Sequence, residues 1–154
     1  MHLGDFIDFD AINTRLSGGN KRSLLQQLAH LSGQRLGIDS TAILASLNER
    51  EQLGSTGFGQ GVAIPHGKIE GLPRIYGMFS RLAEPIDFKA IDGKPVDLIF
   101  LLLSPPDAGA EHLKALAAIS RVTRNMATLE KMRGARSRDA LAAVLLAADE
   151  RDAA

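Results

Sequence analysis

Apolar residues recur along this chain with two different periods, and the switch between them divides it into three stretches. From Asn20 to Gly37, Leu24, Leu25, Leu28 and Leu31 return at helical spacing behind a Ser17-Gly18-Gly19 turn, which predicts a helix stopped at Gly33 or Gly37. Asp39 or Ser40 is placed to cap a second helix with Ile43, Leu44 and Leu47 on its apolar face, ending in the charged turn Asn48-Glu49-Arg50-Glu51 near Gly54. Five glycines (54, 57, 59, 61 and 67) then fall within fourteen residues, with an apolar Val62-Ala63-Ile64 strand among them. That combination predicts a shaped loop, not a flexible linker. Ile75 to Leu82 reads as a strand followed by a Glu84-Pro85 turn. Val96 to Leu103 is dominated by Leu, Ile, Val and Phe, with an apolar run from Leu98 to Leu103, and is ended by Pro105-Pro106, as expected of a central strand covered on both faces. Helical spacing resumes from Ala110 to Arg124, carrying Leu113, Leu116, Ala117 and Ile119. Two short helices follow, the last from Arg138 to Ala148 with Ser137 as its cap.

Helices, then strands, then helices predict an α/β (α+β) fold: a mixed β-sheet flanked by helices on both faces, in one domain over residues 1–154. Composition narrows the class. Lys plus Arg and Asp plus Glu are 18 each, so no global positive field invites nucleic acid. The absence of cysteine removes disulfides, thiolate metal sites and cysteine catalysis. The N-terminus MHLGDFIDFD lacks a basic and an apolar signal region, and the longest apolar runs are too short to span a bilayer. The expectation is a cytoplasmic protein with no membrane insertion.

Candidate chemistry centres on GVAIPHGK, Gly61 to Lys68. This is not a nucleotide P-loop: five residues separate Gly61 from Gly67, Ile69 follows Lys68, and Pro65 removes an amide donor. Of the four histidines, His2 reads as a frayed terminus and His30 as structural. His66 is held between Pro65 and Gly67 at the mouth of a strand, and Gly67 allows a partner to approach. Those residues alone leave a capped turn histidine as an equal alternative. Arg50, Ser55, Thr56, Gly67 and Lys68 supply guanidinium, hydroxyl, amide and ammonium donors for a small tetrahedral anion. His112 stands near a helix start, which favours its neutral form. No HxH, HExxH or CxxC pattern supplies a metal site, and no GxSxG elbow supports a hydrolase using Ser55 and Asp97. Neutral imidazole is itself a nucleophile toward phosphorus, so histidine phosphorylation without metal or cofactor fits this set.

NEREQLGSTGFGQGVAIPHGKI (Asn48 to Ile69), PIDFKAIDGKPVDLIFLLLSP (Pro85 to Pro105) and EHLKALAAIS (Glu111 to Ser120) resemble enzyme IIA proteins of the bacterial phosphoenolpyruvate phosphotransferase system, fructose/mannitol type, nitrogen-regulatory branch. The resemblance implies the mannitol-type IIA fold. It implies that His66 is phosphorylated by an HPr-like carrier protein on Nε2, with His112 and Arg50 as the other active-site residues. Lys114 departs from the pattern, standing where some nitrogen-branch members have a further histidine. Sugar-branch relatives pass the phosphoryl group to a IIB domain. Nitrogen-branch relatives regulate other proteins, including potassium-transport and sensor-kinase systems. A chain without attached IIB or IIC segments favours the regulatory use; a sugar relay and an unmodified interaction module are the alternatives. Docking of the carrier needs an apolar face, for which Phe58, Val62, Ile69 and Leu72 are the candidates.

Overall fold

The computed structural model describes the backbone of residues 1–153 and the side chains of residues 1–150. Its six strands are β1 (Asn13–Leu16), β2 (Gly57–Gly59), β3 (Val62–Ala63), β4 (His66–Lys68), β5 (Tyr76–Ile86) and β6 (Val96–Ser104). The helices are α1 (Lys21–Leu36), α2 (Ser40–Gln52), α3 (Ala110–Thr123), α4 (Met126–Gly134) and α5 (Arg138–Ala153). Strand order is β1-β5-β6-β3-β2, with β4 also paired to β6. β5 runs antiparallel to β6, whereas β3 and β4 run parallel to it, so the sheet is mixed.

Side-chain alternation on β6 sorts the core into two layers. Leu98, Phe100 and Leu102 face α3, α4 and α5, together with Phe79, whose ring meets that of Phe100 edge-on at 4.9 Å. Ile99, Leu101 and Leu103 face α1 and α2, against Leu24, Leu28, Ile43 and Leu47. All six β6 side chains are fully buried, each contributing about 1.5–3 kcal/mol of hydrophobic stabilisation. The expected central strand, covered on both faces by helices, is therefore present.

Caps explain where the first helices begin and end. The Asn20 side chain accepts from the Ser23 N–H, and Asp39 from the Thr41 N–H. α1 stops at Gly37, in the left-handed conformation at φ 68°. Gly33 is buried inside the helix, where a Cβ would approach the Ile38 carbonyl at 2.8 Å. Ser137 Oγ caps α5 by accepting from the Ala140 N–H.

Three expectations need correction. The strand beginning near Ile75 does not stop at a Glu84-Pro85 turn; β5 runs through both to Ile86. Its register against β6 shifts between Arg81 and Ile86, and that irregularity accommodates a proline lacking an N–H. α5 runs on past Ala148 to Ala153. The N-terminus is not frayed: Leu3 is fully buried and its N–H donates to Asp149 Oδ1 at 2.8 Å, while the His2 N–H donates to Asp5. The buried Asp149 carboxylate from α5 thus anchors the short turn at Leu3–Asp5.

One register places His66. β3 and β4 lie parallel to the same edge of β6, with Val62 opposite Leu98 and His66 opposite Leu102. The offset is 98 − 62 = 36 and 102 − 66 = 36, so both pieces belong to one extended segment interrupted at Pro65. The missing proline N–H breaks the ladder, while the Pro65 carbonyl still accepts from the Leu102 N–H at 3.0 Å. The histidine therefore stands on a rigid sheet edge.

Candidate functional site

Three elements meet around His66. α2 contributes Ser46 and, one turn later, Arg50; β4 contributes His66, Gly67 and Lys68; α3 contributes His112 in its first turn. They line an open depression of 330 Å³. The two imidazoles lie 5.4 Å apart between centroids, tilted by 53°. Gly67 is buried against α2, where any Cβ would collide with Ser46 Oγ. The Ser46 hydroxyl donates to the Lys68 carbonyl at 2.9 Å, tying helix to strand directly beneath the histidine.

The contacts of His66 define its tautomer. Nδ1 is 2.7 Å from the Ile64 carbonyl oxygen, which can only accept, so Nδ1 carries the proton. Arg50 Nε donates to Nε2 at 3.2 Å, so Nε2 presents its lone pair. Arg50 is itself steadied by donation from Nη1 to the Gly54 carbonyl at 3.0 Å. Burial, with a further contribution from the Arg50 cation, lowers the His66 pKa from its ordinary 6.5, against the opposing bond to Ile64. His112 is lowered as well, by burial first and then by His66 and Lys68. Both rings are therefore neutral at pH 7. His112 Nδ1 is 2.6 Å from the hydroxyl of Ser104, a fully buried residue at the end of β6, which leaves Nε2 as the free ring nitrogen.

Of the anticipated anion-binding residues, His66, His112, Arg50, Gly67 and Lys68 are brought together. Ser55 and Thr56 are not among the lining residues. Ser55 Oγ donates to the Phe88 carbonyl at 3.1 Å. The Thr56 hydroxyl and N–H both donate to Glu51, whose carboxylate also pairs with Lys21 at 2.9 Å. These two hydroxyls shape the glycine loop instead of facing the depression, which corrects their expected role as phosphate donors. The proposed apolar docking face needs the same treatment. Val62, Ile69 and Leu72 are buried in the core and Phe58 is partly buried against it. Leu53, at the rim, is 82% exposed, and Leu113, next to His112, is 66% exposed. Lys114, the departure from the family pattern, is exposed and lies 3.7 Å from Glu111.

Sequence reasoning missed Ser46 and Ser104. Ser104 had a signal: it is the one polar residue closing the run LIFLLLS. Ser46 had a weaker one, four residues before Arg50 and so on the same helix face. Among the described residues, no group of three or more His, Asp or Glu could hold a metal ion. No helix there is long and apolar enough to cross a membrane.

Residues 5–148 match the family described as "Phosphoenolpyruvate-dependent sugar phosphotransferase system, EIIA 2". The chain belongs to this family. Within it, the similarity runs to the nitrogen-regulatory members. The Nitrogen regulatory protein of Bradyrhizobium diazoefficiens is 46% identical over 145 residues, covering 94% of this chain and 95% of the relative. Nitrogen Regulatory Protein IIA-Ntr from Neisseria meningitidis superposes with a TM-score of 0.87 at 36% identity, over 93% and 98% of the two chains. The mannitol IIA of Escherichia coli, at 15% identity, shares the fold with a TM-score of 0.75 over 90% and 97%. The EIIA fold anticipated from the glycine-loop motif is thus present.

Proposed function

We propose that this EIIA protein accepts a phosphoryl group on Nε2 of His66 from an HPr-like phosphohistidine carrier, and that its phosphorylation state regulates partner proteins. The observation that carries this reading is the fixed tautomer, in which Ile64 holds the Nδ1 proton and Nε2 faces an open depression beside a guanidinium. In the transfer, the Nε2 lone pair forms the new N–P bond as the carrier's N–P bond breaks, and the electron pair returns to the carrier's ring. No proton leaves His66. The positive charge that develops on its ring is stabilised by the Nδ1–H bond to the Ile64 carbonyl. Arg50 occupies the space the phosphorus must enter, so its fork moves outward to meet the phosphoryl oxygens. The tautomer in which the Ser104 hydroxyl donates to Nδ1 presents the His112 Nε2–H as a further donor, and Lys68 adds another. Leu53 and Leu113 flank the site as apolar ground for a small, short-lived carrier contact. The kinship with nitrogen-regulatory proteins favours regulation of cytoplasmic partners, such as potassium-transport or sensor-kinase systems, over onward transfer to a sugar-type IIB. A phosphoryl group adds nearly two negative charges at this surface, enough to switch such a contact without refolding.

Incubation with phosphoenolpyruvate, enzyme I and an HPr-like carrier is expected to give a base-stable, acid-labile adduct of one phosphoryl group per chain. No adduct, with the carrier itself phosphorylated, would remove the reading.

Two further outcomes arise from the geometry. Transfer measured by rapid quench is expected to stay level as pH falls through 6.5, and to decline only through the lowered pKa of His66. Conformational stability follows the same direction. The unfolded histidine binds its proton near 6.5 and the folded one only below that. The contribution from His66 is therefore complete above 6.5 and is lost as pH falls toward the folded value. A rate that halves at or above 6.5 contradicts this. The Ser104→Ala variant removes the hydroxyl that orients His112. Transfer is expected to slow about tenfold while His66 remains the acceptor, which corresponds to one lost hydrogen bond. An unchanged rate together with unchanged His112 ring ¹⁵N shifts would deny the hydroxyl this role.

A further inference from the structure

A second concavity, of 570 Å³, opens beside the start of β6, between the β1–β5 side of the sheet and the end of α4. Four arginines line it: Arg15 from β1, Arg81 from β5, Arg133 from α4, and Arg136 just beyond α4. Asp97 is the one carboxylate among the lining residues described. It is engaged by Arg133, whose Nε and Nη2 reach its two oxygens at 2.9–3.1 Å. Among the described residues, Arg81 has no acidic partner. Its Nε donates to the Thr14 carbonyl and its Nη1 to the carbonyls of Met132, Arg133 and Ala135, contacts that hold the guanidinium in place and cancel no formal charge. Three of these carbonyls belong to the end of α4 and the residue after it, so the guanidinium also covers the negative pole of that helix. Arg15 and Arg136 are exposed, and among the described residues their side chains make no hydrogen bond or ion pair.

The lining therefore carries a formal charge of 4 − 1 = +3, in a chain whose net charge is zero. Two of the guanidinium groups are held rigidly by the fold, and two are free to close on a ligand. Guanidinium forks match phosphate oxygens in pairs, and a concave surface with one sign of charge concentrates counter-ions. The volume lies within the range of small-molecule sites, about 300–1,000 Å³. We propose that this cleft binds a compact polyphosphate anion. The charge of the cleft calls for a multiply charged ligand, and three cationic side chains without an acidic partner can contact adjacent phosphates. The site is separate from the His66 depression. Asp97 and Leu102, the partner of His66, are five residues apart on β6, roughly 17 Å along the strand.

The test is titration of the full chain with inorganic tripolyphosphate in buffer of about 20 mM salt, where screening is weak, followed through backbone and arginine Nε–H signals. Saturable shifts are expected at Arg15, Arg81, Arg133 and Arg136. The double variant Arg15→Ala, Arg136→Ala touches only exposed side chains and leaves the carbonyl and Asp97 contacts in place. It is expected to raise Kd at least about tenfold with an unchanged spectrum elsewhere. Three outcomes would each overturn the proposal: an unchanged Kd in the double variant, shifts confined to the Arg50–His66–Lys68 depression, or the same shifts from sodium chloride at matched ionic strength. Because the readout involves no phosphoryl transfer, it stands or falls independently of the role of His66.

Discussion

His66→Ala is expected to remain folded and to accept no phosphoryl group from a phosphorylated HPr-like carrier. The fold survives because the ring is only half-buried and β4 is held through its backbone, by pairing with β6 and by the Ser46 bond to the Lys68 carbonyl. The lost side-chain contacts are two hydrogen bonds, one to the Ile64 carbonyl and one from Arg50 Nε, about 1 kcal/mol each. Acceptance, by contrast, disappears completely, because no other imidazole in the chain has the same environment. His112 sits nearby, but its Nδ1 is engaged with the Ser104 hydroxyl. His2 and His30 are exposed and outside the depression. Intact-mass analysis after incubation with the carrier checks this. A phosphorylated species at wild-type yield in the variant would remove His66 as the acceptor.

Arg50→Ala has the second largest expected effect, a slowing of transfer by about 10²–10³-fold with the fold intact. That is the usual loss when one preorganised donor to a developing oxyanion is removed. The guanidinium lies at the end of α2, where among the described residues it hydrogen-bonds His66 and the Gly54 carbonyl, and Arg50 is not among the buried core residues, so its removal leaves the packing undisturbed. Arg50→Lys is expected to recover little of the rate, because an ammonium cannot fork across two phosphoryl oxygens. The substitution to alanine also removes a nearby cation that lowers the His66 pKa, so the ring should titrate closer to 6.5. Rapid-quench transfer kinetics and a histidine NMR titration read the two effects separately. A wild-type rate in Arg50→Ala would contradict the assigned role.

The elements legible in the sequence were those with enough length to show a period. α1 displayed its leucine spacing, its Asn20 entry and its Gly37 exit, and β6 displayed an unbroken apolar run from Leu98 to Leu103. β1, β2 and β4 were too short to carry a pattern, and they exist because β5, β6 or β3 offers them an edge. The Leu3 turn was invisible for a related reason, since its anchor, Asp149, lies 146 residues away. At the site, His66, Arg50 and His112 were readable as residue types in a motif, and the structure brings them together. Ser55 and Thr56 were misread because their hydroxyl partners, the Phe88 carbonyl and the Glu51 carboxylate, are set by folding. Val62, Ile69 and Leu72 looked available for docking only while their burial was unknown. Of the exposed leucines at the site, Leu53 lies just past the end of α2, outside its apolar face, and Leu113 lies on the outer side of α3, where helical spacing alone had grouped it with the apolar positions.

The most direct test of the central claim is a combined ³¹P and long-range ¹H–¹⁵N NMR spectrum of the phosphorylated protein with ¹⁵N-labelled histidine. The geometry predicts phosphorus bonded to Nε2 of His66, with the Nδ1 proton retained and still donated to Ile64. Phosphorus on Nδ1 of His66, or on either nitrogen of His112, would contradict it.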